Sequence, residues 1–444
     1  MPPKARIYLY ISLLISVLAY YILAYHTPRT QFLALLGWFF LACVGYFYLV
    51  RASLSFKWGL AIAIGFRLIF LLANPSLSDD YFRFIWDGTL LTQGHNPYLQ
   101  LPSYYLHPPN TGLVPELTPA LFSKLNSPDY YTVYPPICQA FFGIANYIGG
   151  SDWWLNGLVL RLFIIAAEIG SIILLGQLLT FFRLPQSQVW WYAFNPLVIL
   201  ELTGNLHFEG VLIFFLLYSL YFLLKNKRVL SAIFLGLAIS VKLWPLMFLP
   251  FIFRRIGFVP FVRYALIVAT LVTVLFLPFV SSELIHHILN SVNLYFQKFE
   301  FNASIYYVAR WLGYRWTGYN YIKYIGPFLS FITLAGILFL TFRPKKYSDQ
   351  QFWNLFLFAF SLYLGLATVV HPWYITTLVA LAACSGWRFP MVWSVVVILS
   401  YATYQTSAYT EYLGLVALEY MVVYGFLIYE WLIRQNVKNQ IAHD

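Results

Sequence analysis

The stretch Ser78–Gly88, SDDYFRFIWDG, places charged side chains directly after an apolar segment of membrane-spanning length. Asp79 and Asp80 are adjacent, Asp87 follows seven residues after Asp80, and Arg83 lies between them. An acidic residue at the centre of a spanning helix costs roughly 2.5–3.5 kcal/mol, so carboxylates this close to a membrane need a reason. Repulsion between neighbouring carboxylates can raise the pKa of one of them toward the range of a general base. The pattern favours a general base at this aspartate pair over a solvated helix cap, and the choice between Asp80 as the base and Asp79 as the neighbour that tunes it depends on the resemblance described below.

Further polar side chains accompany a turn in the segment NPLVILELTGNLHFEG (195–210), which carries Glu201, Asn205, His207 and Glu209. His207 and Glu209 have the chemistry of metal ligands. Residues two positions apart do not share a helix face, however, so a metal site would need ligands from elsewhere. The segment is therefore interpreted as the polar lining of a cavity, and no metal ligand is assigned.

Two more segments combine helix breaks with polar groups. Lys242 lies in AISVKLWP, and an ammonium at a broken helix is typical of a site for an anionic ligand, with snorkelling to an interface as the alternative. VVHPWYITTL (369–378) begins another helix end, where an aromatic belt accounts for Tyr374 but not for His371. The predicted donor- or acceptor-binding residues are Arg83, Asp87, Asn205, His207, Glu209, Lys242, His371 and Tyr374.

The elements that hold these residues are predicted to be membrane helices. The chain has 444 residues, is 61% hydrophobic and only 10% charged, and has a mean hydropathy of +0.71. A soluble protein of this length would carry far more charge, so the composition predicts an all-α polytopic membrane protein. Apolar stretches predict about 12–14 transmembrane helices, and the count depends on whether 229–253, interrupted at KLWP, crosses once or twice.

The formal charge of +11 is interpreted as a topology signal and not as a sign of nucleic-acid binding. More than half of the 27 Lys and Arg residues lie in short connections predicted to face the cytoplasm, where anionic membrane lipids are their partner. This topology requires that 229–253 crosses twice and that 133–149 does not cross. It places the loops 75–155 and 281–322 on the outer side of the inner membrane. The basic connections are PPKAR, Arg51 to Lys57, Arg183, KNKR, RR, RPKK, Arg388, and Arg434 with Lys438.

The first outer loop is predicted to contain two helices that lie at the membrane interface. One carries Phe82, Ile85 and Trp86 at helical spacing, and the other, VYPPICQAFFGIANYIGG (133–150), is proline-led and short, with an ordinary short span as the alternative. A third aromatic helix is predicted within 299–314. The predicted regions are a two-helix accessory region (1–57), a transmembrane catalytic module (58–433) and a cytoplasmic tail (434–444).

Taken in order, five motifs resemble those of bacterial GT-C membrane glycosyltransferases, most closely the polyprenyl-phosphate-mannose-dependent mannosyltransferases. The likeness runs from about residue 60 to 390. It implies a GT-C-type fold with interfacial helices in the first outer loop, an essential acid and a lipid-phosphate sugar donor. The family's D-x-x-x-aromatic acid falls on Asp80, with Phe84 four residues later. The motifs are SDDYFRFIWDG with GHNPY, YPP, NPLVILE with GN.H.E, GLAISVKLWPL and HPWY.

Residues and resemblance together predict an inverting glycosyltransferase on the outer face. It would move a hexose, expected to be mannose, from a polyprenyl-phosphate sugar to a glycan or glycolipid acceptor. Lys242, Arg83 or His371 would meet the leaving phosphate. A divalent ion at the paired aspartates is compatible with this chemistry but not demanded by it. The alternatives are a transporter or lipid flippase, which polar groups gathered at one face disfavour, and an oligosaccharide ligase using a diphosphate lipid donor.

Overall fold

The computed structural model describes residues 3–297, 299–343, 346–406 and 408–443. Regular structure in these residues is helical, and an isolated parallel bridge joins Phe301 to Val369. The predicted all-α class is therefore confirmed. Pro344 and Lys345 of the basic RPKK connection lie outside the described residues, as does the side chain of Lys438 in the predicted tail.

Twenty α-helices form the described part of the chain, joined by shorter 3-10 and π segments. The first ten are α1 (Pro3–Tyr25), α2 (Phe32–Leu49), α3 (Phe56–Ile69), α4 (Asp80–Thr92), α5 (Pro119–Phe122), α6 (Pro136–Gly149), α7 (Trp153–Phe182), α8 (Val189–Ala193), α9 (Pro196–Val198) and α10 (Glu209–Leu224). The others are α11 (Arg228–Ile239), α12 (Leu249–Ile256), α13 (Phe258–Phe276), α14 (Leu284–Gln297), α15 (Ile305–Thr317), α16 (Ile322–Phe342), α17 (Asp349–Leu366), α18 (Ile375–Ala383), α19 (Phe389–Val396) and α20 (Leu413–His443). The 3-10 segments are Pro102–Leu106, Gln186–Gln188, Trp244–Phe248, Leu277–Phe279, Pro372–Tyr374 and Val397–Gln405, and Ile199–Gly204 is a π-helix.

Within the described ranges, six helices are long and apolar enough to cross a membrane, or seven if the bent pair Pro196–Gly204 and Glu209–Leu224 is one span. The polytopic character is thus confirmed, but 12–14 spans are not present as continuous helices. Other predicted spans are short helices that stop and restart, such as α11, whose 12 residues rise only about 18 Å against a hydrocarbon core of about 30 Å. Apolar runs alone do not distinguish a continuous helix from an interrupted one.

The chain reverses its direction within the segment 229–253, and Lys242 lies at the reversal. α11 ends at Ile239, and the 3-10 segment Trp244–Phe248 leads into α12. Residues that flank the two ends of the segment contact adjacent parts of α7 and α17, so both ends lie at the same end of the molecule. Two passes would need such a reversal, but α11 and α12 are each shorter than the hydrocarbon core, so the number of crossings stays a prediction. The contacts are Lys225 with the Phe181 ring, Phe182 with Trp353, and Arg255 with Asp349.

The two helices predicted in the first loop are present as α4 and α6, and they pack closely against each other. A Cβ added to Gly88 would lie 2.4 Å from the backbone oxygen of Phe142, so only glycine permits this approach. Phe84 stacks on Phe142 with ring centroids 4.4 Å apart. With 14 residues, α6 is shorter than the roughly 20 residues that a spanning helix needs.

The burial of α4 differs from that of the predicted interfacial helix. Phe82, Ile85 and Trp86 are buried, as their spacing predicts. Arg83 and Asp87 on the polar side are buried as well, with exposed fractions of 3% and 0%. The sequence pattern indicated the helix correctly, but it did not show that the loop after α4 folds over its polar side.

The helices α1 and α2 pack into the main core of the protein. Tyr46 on α2 donates a hydrogen bond to the backbone oxygen of Trp191 at 3.0 Å, and Tyr25 donates to that of Ile69 at 2.9 Å. Buried side chains of both helices belong to the same apolar core as those of α7 and α10. The boundary at residue 57 stays a prediction, and the packing across it is continuous.

Candidate active site

Helix starts and breaks from separate parts of the chain meet around one cavity. Glu209 begins α10, Lys242 lies at the break between α11 and α12, and Tyr374 ends the 3-10 segment that precedes α18. Lys242 forms an ion pair with Glu209, and its ammonium lies 5.0 Å from the centre of the Tyr374 ring. These three residues line one cavity, together with Trp244 and Tyr363. The structure therefore brings three of the predicted binding residues together.

Asp80, the first residue of α4, belongs to the same electrostatic cluster. One of its carboxylate oxygens accepts a hydrogen bond from the side chain of Asn126 at 2.7 Å. Burial raises the pKa of Asp80 above its usual value. The Asn126 hydrogen bond and the charge of Lys242 oppose this rise, whereas the charges of Glu209 and Asp79 add to it. A carboxylate with a raised pKa is a stronger base, which is the property that a general base needs.

Asp79 has a cationic partner that the sequence did not predict. Arg29, in the turn between α1 and α2, donates to the Asp79 carboxylate at 2.5 Å. The same guanidinium lies 5.4 Å from the centre of the Tyr404 ring. Asp79 was predicted to act on Asp80 through its charge, and the structure shows that this charge is paired.

A column of stacked rings lies beside the cavity. Its order is Phe301, His371, Trp373 and His207, with successive ring centroids 4.9, 4.2 and 3.8 Å apart. His371 also meets the ring of Tyr374 edge-on at 5.4 Å, which connects the column to the cavity lining. The two predicted histidines are thus neighbours of one tryptophan.

Several buried polar atoms of this cluster have no hydrogen-bond partner among the described residues. They are Oε2 of Glu209 and Nδ1 of His371, together with Oε2 of Glu201 and Nε2 of His207, which lie 3.4 Å from each other. Leaving a buried polar group unpaired costs about 1–3 kcal/mol, so such groups are rare in structural cores. Their gathering beside a cavity is typical of a ligand site. Across the described part of the chain, no group of three or more His, Cys, Asp or Glu residues is arranged to hold a metal ion.

Comparison with known proteins gives the family. The model of the family described as alpha-(1->6)-mannopyranosyltransferase, N-terminal domain, matches residues 12–256, which is more than half of the chain. The protein belongs to this mannosyltransferase family. The match begins within α1 and ends at the last residue of α12, so it includes Arg29, Asp80 and Lys242.

A curated relative supports the same enzyme class. GPI mannosyltransferase 1 of Kluyveromyces lactis is 29% identical to this protein over 170 residues, which cover 38% of the chain. The matched part spans about a third of the relative's length, 34%. The predicted membership of a GT-C-type mannosyltransferase family is confirmed.

Two predicted binding residues of the mannosyltransferase, Arg83 and Asp87, have partners within the protein. The Arg83 guanidinium donates to Asp87 at 2.9 Å and to the backbone oxygens of Ser127 and Tyr130 at 3.0 and 2.9 Å. Asp87 also accepts from the hydroxyl of Thr132. The pair joins α4 to the loop that covers it. This geometry suits a positioning role for both residues, and their contact with a ligand stays a prediction.

Asn205 is likewise engaged with the backbone. Its side-chain oxygen accepts from the amide of Leu77 at 3.0 Å, and its side-chain nitrogen donates to the Leu200 carbonyl at 3.0 Å. It therefore fastens the π-helix Ile199–Gly204 to the residues that lead into α4. Asn205 orients the site without facing the cavity.

Three residues of the candidate site were not predicted from the sequence: Arg29, Asn126 and Tyr404. Arg29 carried a usable signal, because HTPRTQ connects the first two apolar segments and falls on the outer side of the predicted topology, where Lys and Arg are rare. Asn126 and Tyr404 lie in segments without any comparable pattern. Only the folded chain brings them to Asp80 and Arg29.

Proposed function

We propose that this mannosyltransferase moves mannose from a polyprenyl-phosphate donor to a hydroxyl group of a glycan or lipid-linked acceptor, with Asp80 as the general base. The observation that carries the proposal is the placement of a half-buried carboxylate and a cavity-lining ammonium, Asp80 and Lys242, in one electrostatic cluster. A base for the acceptor and a cation for the leaving phosphate are the two groups that this reaction needs.

In the proposed reaction the acceptor hydroxyl loses its proton to Asp80. Its oxygen forms a bond to C1 of mannose while the bond between C1 and the phosphate oxygen breaks. The electron pair of the broken bond leaves with the polyprenyl phosphate, whose added negative charge Lys242 stabilises. A single displacement inverts the configuration at C1, so a β-linked donor gives an α-mannoside.

Lys242 is suited to receive the phosphate because its side chain is 24% exposed, whereas its partner Glu209 is only 2% exposed. Both residues line the cavity, and the ammonium is the more accessible of the two groups. An incoming phosphate would share the ammonium with Glu209. Charge-assisted contacts of this kind are stronger than neutral hydrogen bonds.

A second cavity supports a lipid-linked donor. It lies between α16 and α17, and its lining includes Gly326, Ser330 and Leu366. Tyr363 lines both this cavity and the one at Lys242, so the two are neighbours. α16 has a largely exposed apolar side, including Phe328, which is the side that lipid would contact. An isoprenoid tail in the second cavity would leave its phosphate directed toward Lys242.

Transfer by the purified full-length protein tests the proposal. Radiolabelled polyprenyl-phosphate mannose and a lipid-linked mannose acceptor in detergent should give a labelled product that an α-mannosidase releases. Transfer from a nucleotide-linked mannose without any lipid donor would contradict the proposed donor. Transfer of a whole oligosaccharide from a diphosphate lipid, without transfer of mannose, would identify a ligase instead.

The site is proposed to face the outer side of the membrane. The loops 75–155 and 281–322 contact each other and therefore lie at the same end of the protein. Nδ1 of His287 lies 2.8 Å from the backbone oxygen of Tyr98, and the hydroxyl of Ser291 donates to the backbone oxygen of Tyr131 at 3.1 Å. Because the basic connections cluster at the other end of the predicted topology, this end should be the outer one.

We expect a Thr111→Cys variant in right-side-out membrane vesicles to react with an impermeant thiol reagent. Thr111 is exposed in the first loop, and the native Cys43, Cys138 and Cys384 are buried, which keeps background labelling low. Lys227→Cys, in an exposed basic connection, is the matched control and should react only after permeabilisation. The reverse labelling pattern would contradict the proposed orientation.

A further inference from the structure

We propose that Arg29 is a positioning residue of the active site, which holds Asp79 in an ion pair and thereby keeps the start of α4 and the ionised form of Asp80 ready for proton transfer. The inference rests on the proposed role of Asp80 as the base. It assigns the turn between α1 and α2 a part in the reaction, whereas the sequence predicted an accessory helix pair.

The side chain of Asp79 does not cap the helix that it precedes. Asp79 directly precedes the first residue of α4, a position at which an aspartate commonly accepts hydrogen bonds from the amides of the first helical turn. Its side chain makes no such capping bond. The carboxylate is engaged by Arg29 instead, at 2.5 Å, although the two residues are 50 positions apart in the chain. This long-range contact replaces the local one that is usual for an aspartate here.

Arg29 also contacts an aromatic ring, in addition to Asp79. Its guanidinium lies 5.4 Å from the centre of the Tyr404 ring, and the centre of this ring lies 5.9 Å from that of Phe301, the first ring of the stacked column. In the turn itself, the hydroxyl of Thr27 donates to the Ile22 carbonyl at 2.9 Å. The guanidinium therefore connects the beginning of α4, through Tyr404, with the column of stacked rings. A guanidinium stays charged at every working pH, which suits a fixed counter-charge.

Arg29 also affects Asp80 electrostatically, through the charge of Asp79. The Asp79 charge lies next to Asp80, and a like charge at this distance disfavours the ionised form of a carboxylic acid. Arg29 neutralises the Asp79 charge without touching Asp80. Without Arg29 the Asp79 carboxylate would be unopposed, and the pKa of Asp80, already raised by burial, would rise further. The charged and titratable groups that act on Asp80 are Asp79, Glu201, Glu209, Lys242 and Tyr404, with Asn126 as its hydrogen-bond donor.

The test is the pH dependence of kcat/KM for mannose transfer by full-length Arg29→Gln protein. The acid limb of the profile reports the free-enzyme pKa of the base. We expect this limb to move to higher pH by about one unit, so that the rate on the limb falls about tenfold. Adding Asp79→Asn to Arg29→Gln should return the limb toward that of the unaltered protein, because it removes the unopposed charge.

Arg51→Gln is the matched control, because Arg51 is an exposed arginine between α2 and α3 whose guanidinium donates only to the nearby Phe47 carbonyl at 2.9 Å in the contacts described. Its profile should not move. A role of Arg29 in folding alone would lower the rate equally at every pH, and Asp79→Asn would then give no recovery of the limb. That result, or an unmoved limb in Arg29→Gln, would overturn the inference.

Two further variants keep the inference testable if Arg29→Gln does not fold. Asp79→Asn alone leaves Arg29 unopposed beside Asp80, so its acid limb should move to lower pH, whereas an unmoved limb would overturn the inference. Arg29→Lys keeps the charge and should leave the limb in place. Failure of this inference is distinct from failure of the proposed function, which would appear as retained activity in Asp80→Asn.

Discussion

Replacing Asp80 with Asn is expected to reduce kcat for mannose transfer about a hundredfold or more, because a positioned general base contributes about 10²–10⁴-fold to rate. The amide has nearly the same shape as the carboxylate, so the packing at the start of α4 should survive. It cannot accept the acceptor proton. The measurement is the initial rate at saturating donor and acceptor, with thermal unfolding in detergent as the check on folding.

The matched control for this substitution is Asp129→Asn, which changes an exposed aspartate in the same loop and should leave the rate nearly unchanged. Asp79→Asn should reduce the rate less than Asp80→Asn, because Asp79 is engaged by Arg29. An inactive Asp79→Asn beside an active Asp80→Asn would assign the base to the other aspartate. Near-normal rates in both variants would remove the proposed catalytic centre.

The pH profile adds a second readout for Asp80. Only the ionised carboxylate can take a proton, so activity should fall as the pH drops through the pKa of Asp80. Because burial raises this pKa, the fall should occur at a higher pH than for an exposed aspartate. Asp80→Glu, which keeps the carboxylate but moves it by one methylene, should retain an acid limb at a reduced rate.

Local patterns in the sequence predicted the elements that carry the site. The spacing of Phe82, Ile85 and Trp86 predicted α4. The proline in KLWP predicted the helix break at which Lys242 lines the cavity. The pairing of Arg83 with Asp87 was also available, because residues four apart lie on the same side of a helix. In each case the contact lies within one helix or at its end, which is the range over which periodicity is informative.

Contacts between distant segments could not be predicted in this way. The stacking of His207 on Trp373 joins residues more than 160 positions apart, and no period in either segment indicates it. The ion pair of Arg29 with Asp79 depends on how α1 and α2 pack onto α3 and the core. Predicting such contacts requires the packing of whole helices, since polarity alone indicates only which side chains need a partner.

Replacing Lys242 with Met is expected to raise the apparent KM for the lipid-phosphate donor about 10- to 100-fold, because a contact to a charged group contributes about 1.5–3 kcal/mol. Methionine keeps the length and most of the apolar stem of lysine while removing the ammonium. The same change removes a charge that favours the ionised form of Asp80, so the acid limb of the pH profile should also move to higher pH. Lys227→Met, in an exposed connection, is the matched control for loss of a lysine.

The ion pair with Glu209 makes a second variant necessary. Lys242→Met leaves the enclosed Glu209 carboxylate without its cation, which is expected to destabilise the protein whether or not Lys242 binds phosphate. Adding Glu209→Gln removes that unpaired charge and should recover thermal stability, but it supplies no cation for the donor. The double variant should therefore be stable but should still have a raised apparent KM for the donor. Recovery of donor KM together with stability would show instead that Lys242 serves only to neutralise Glu209.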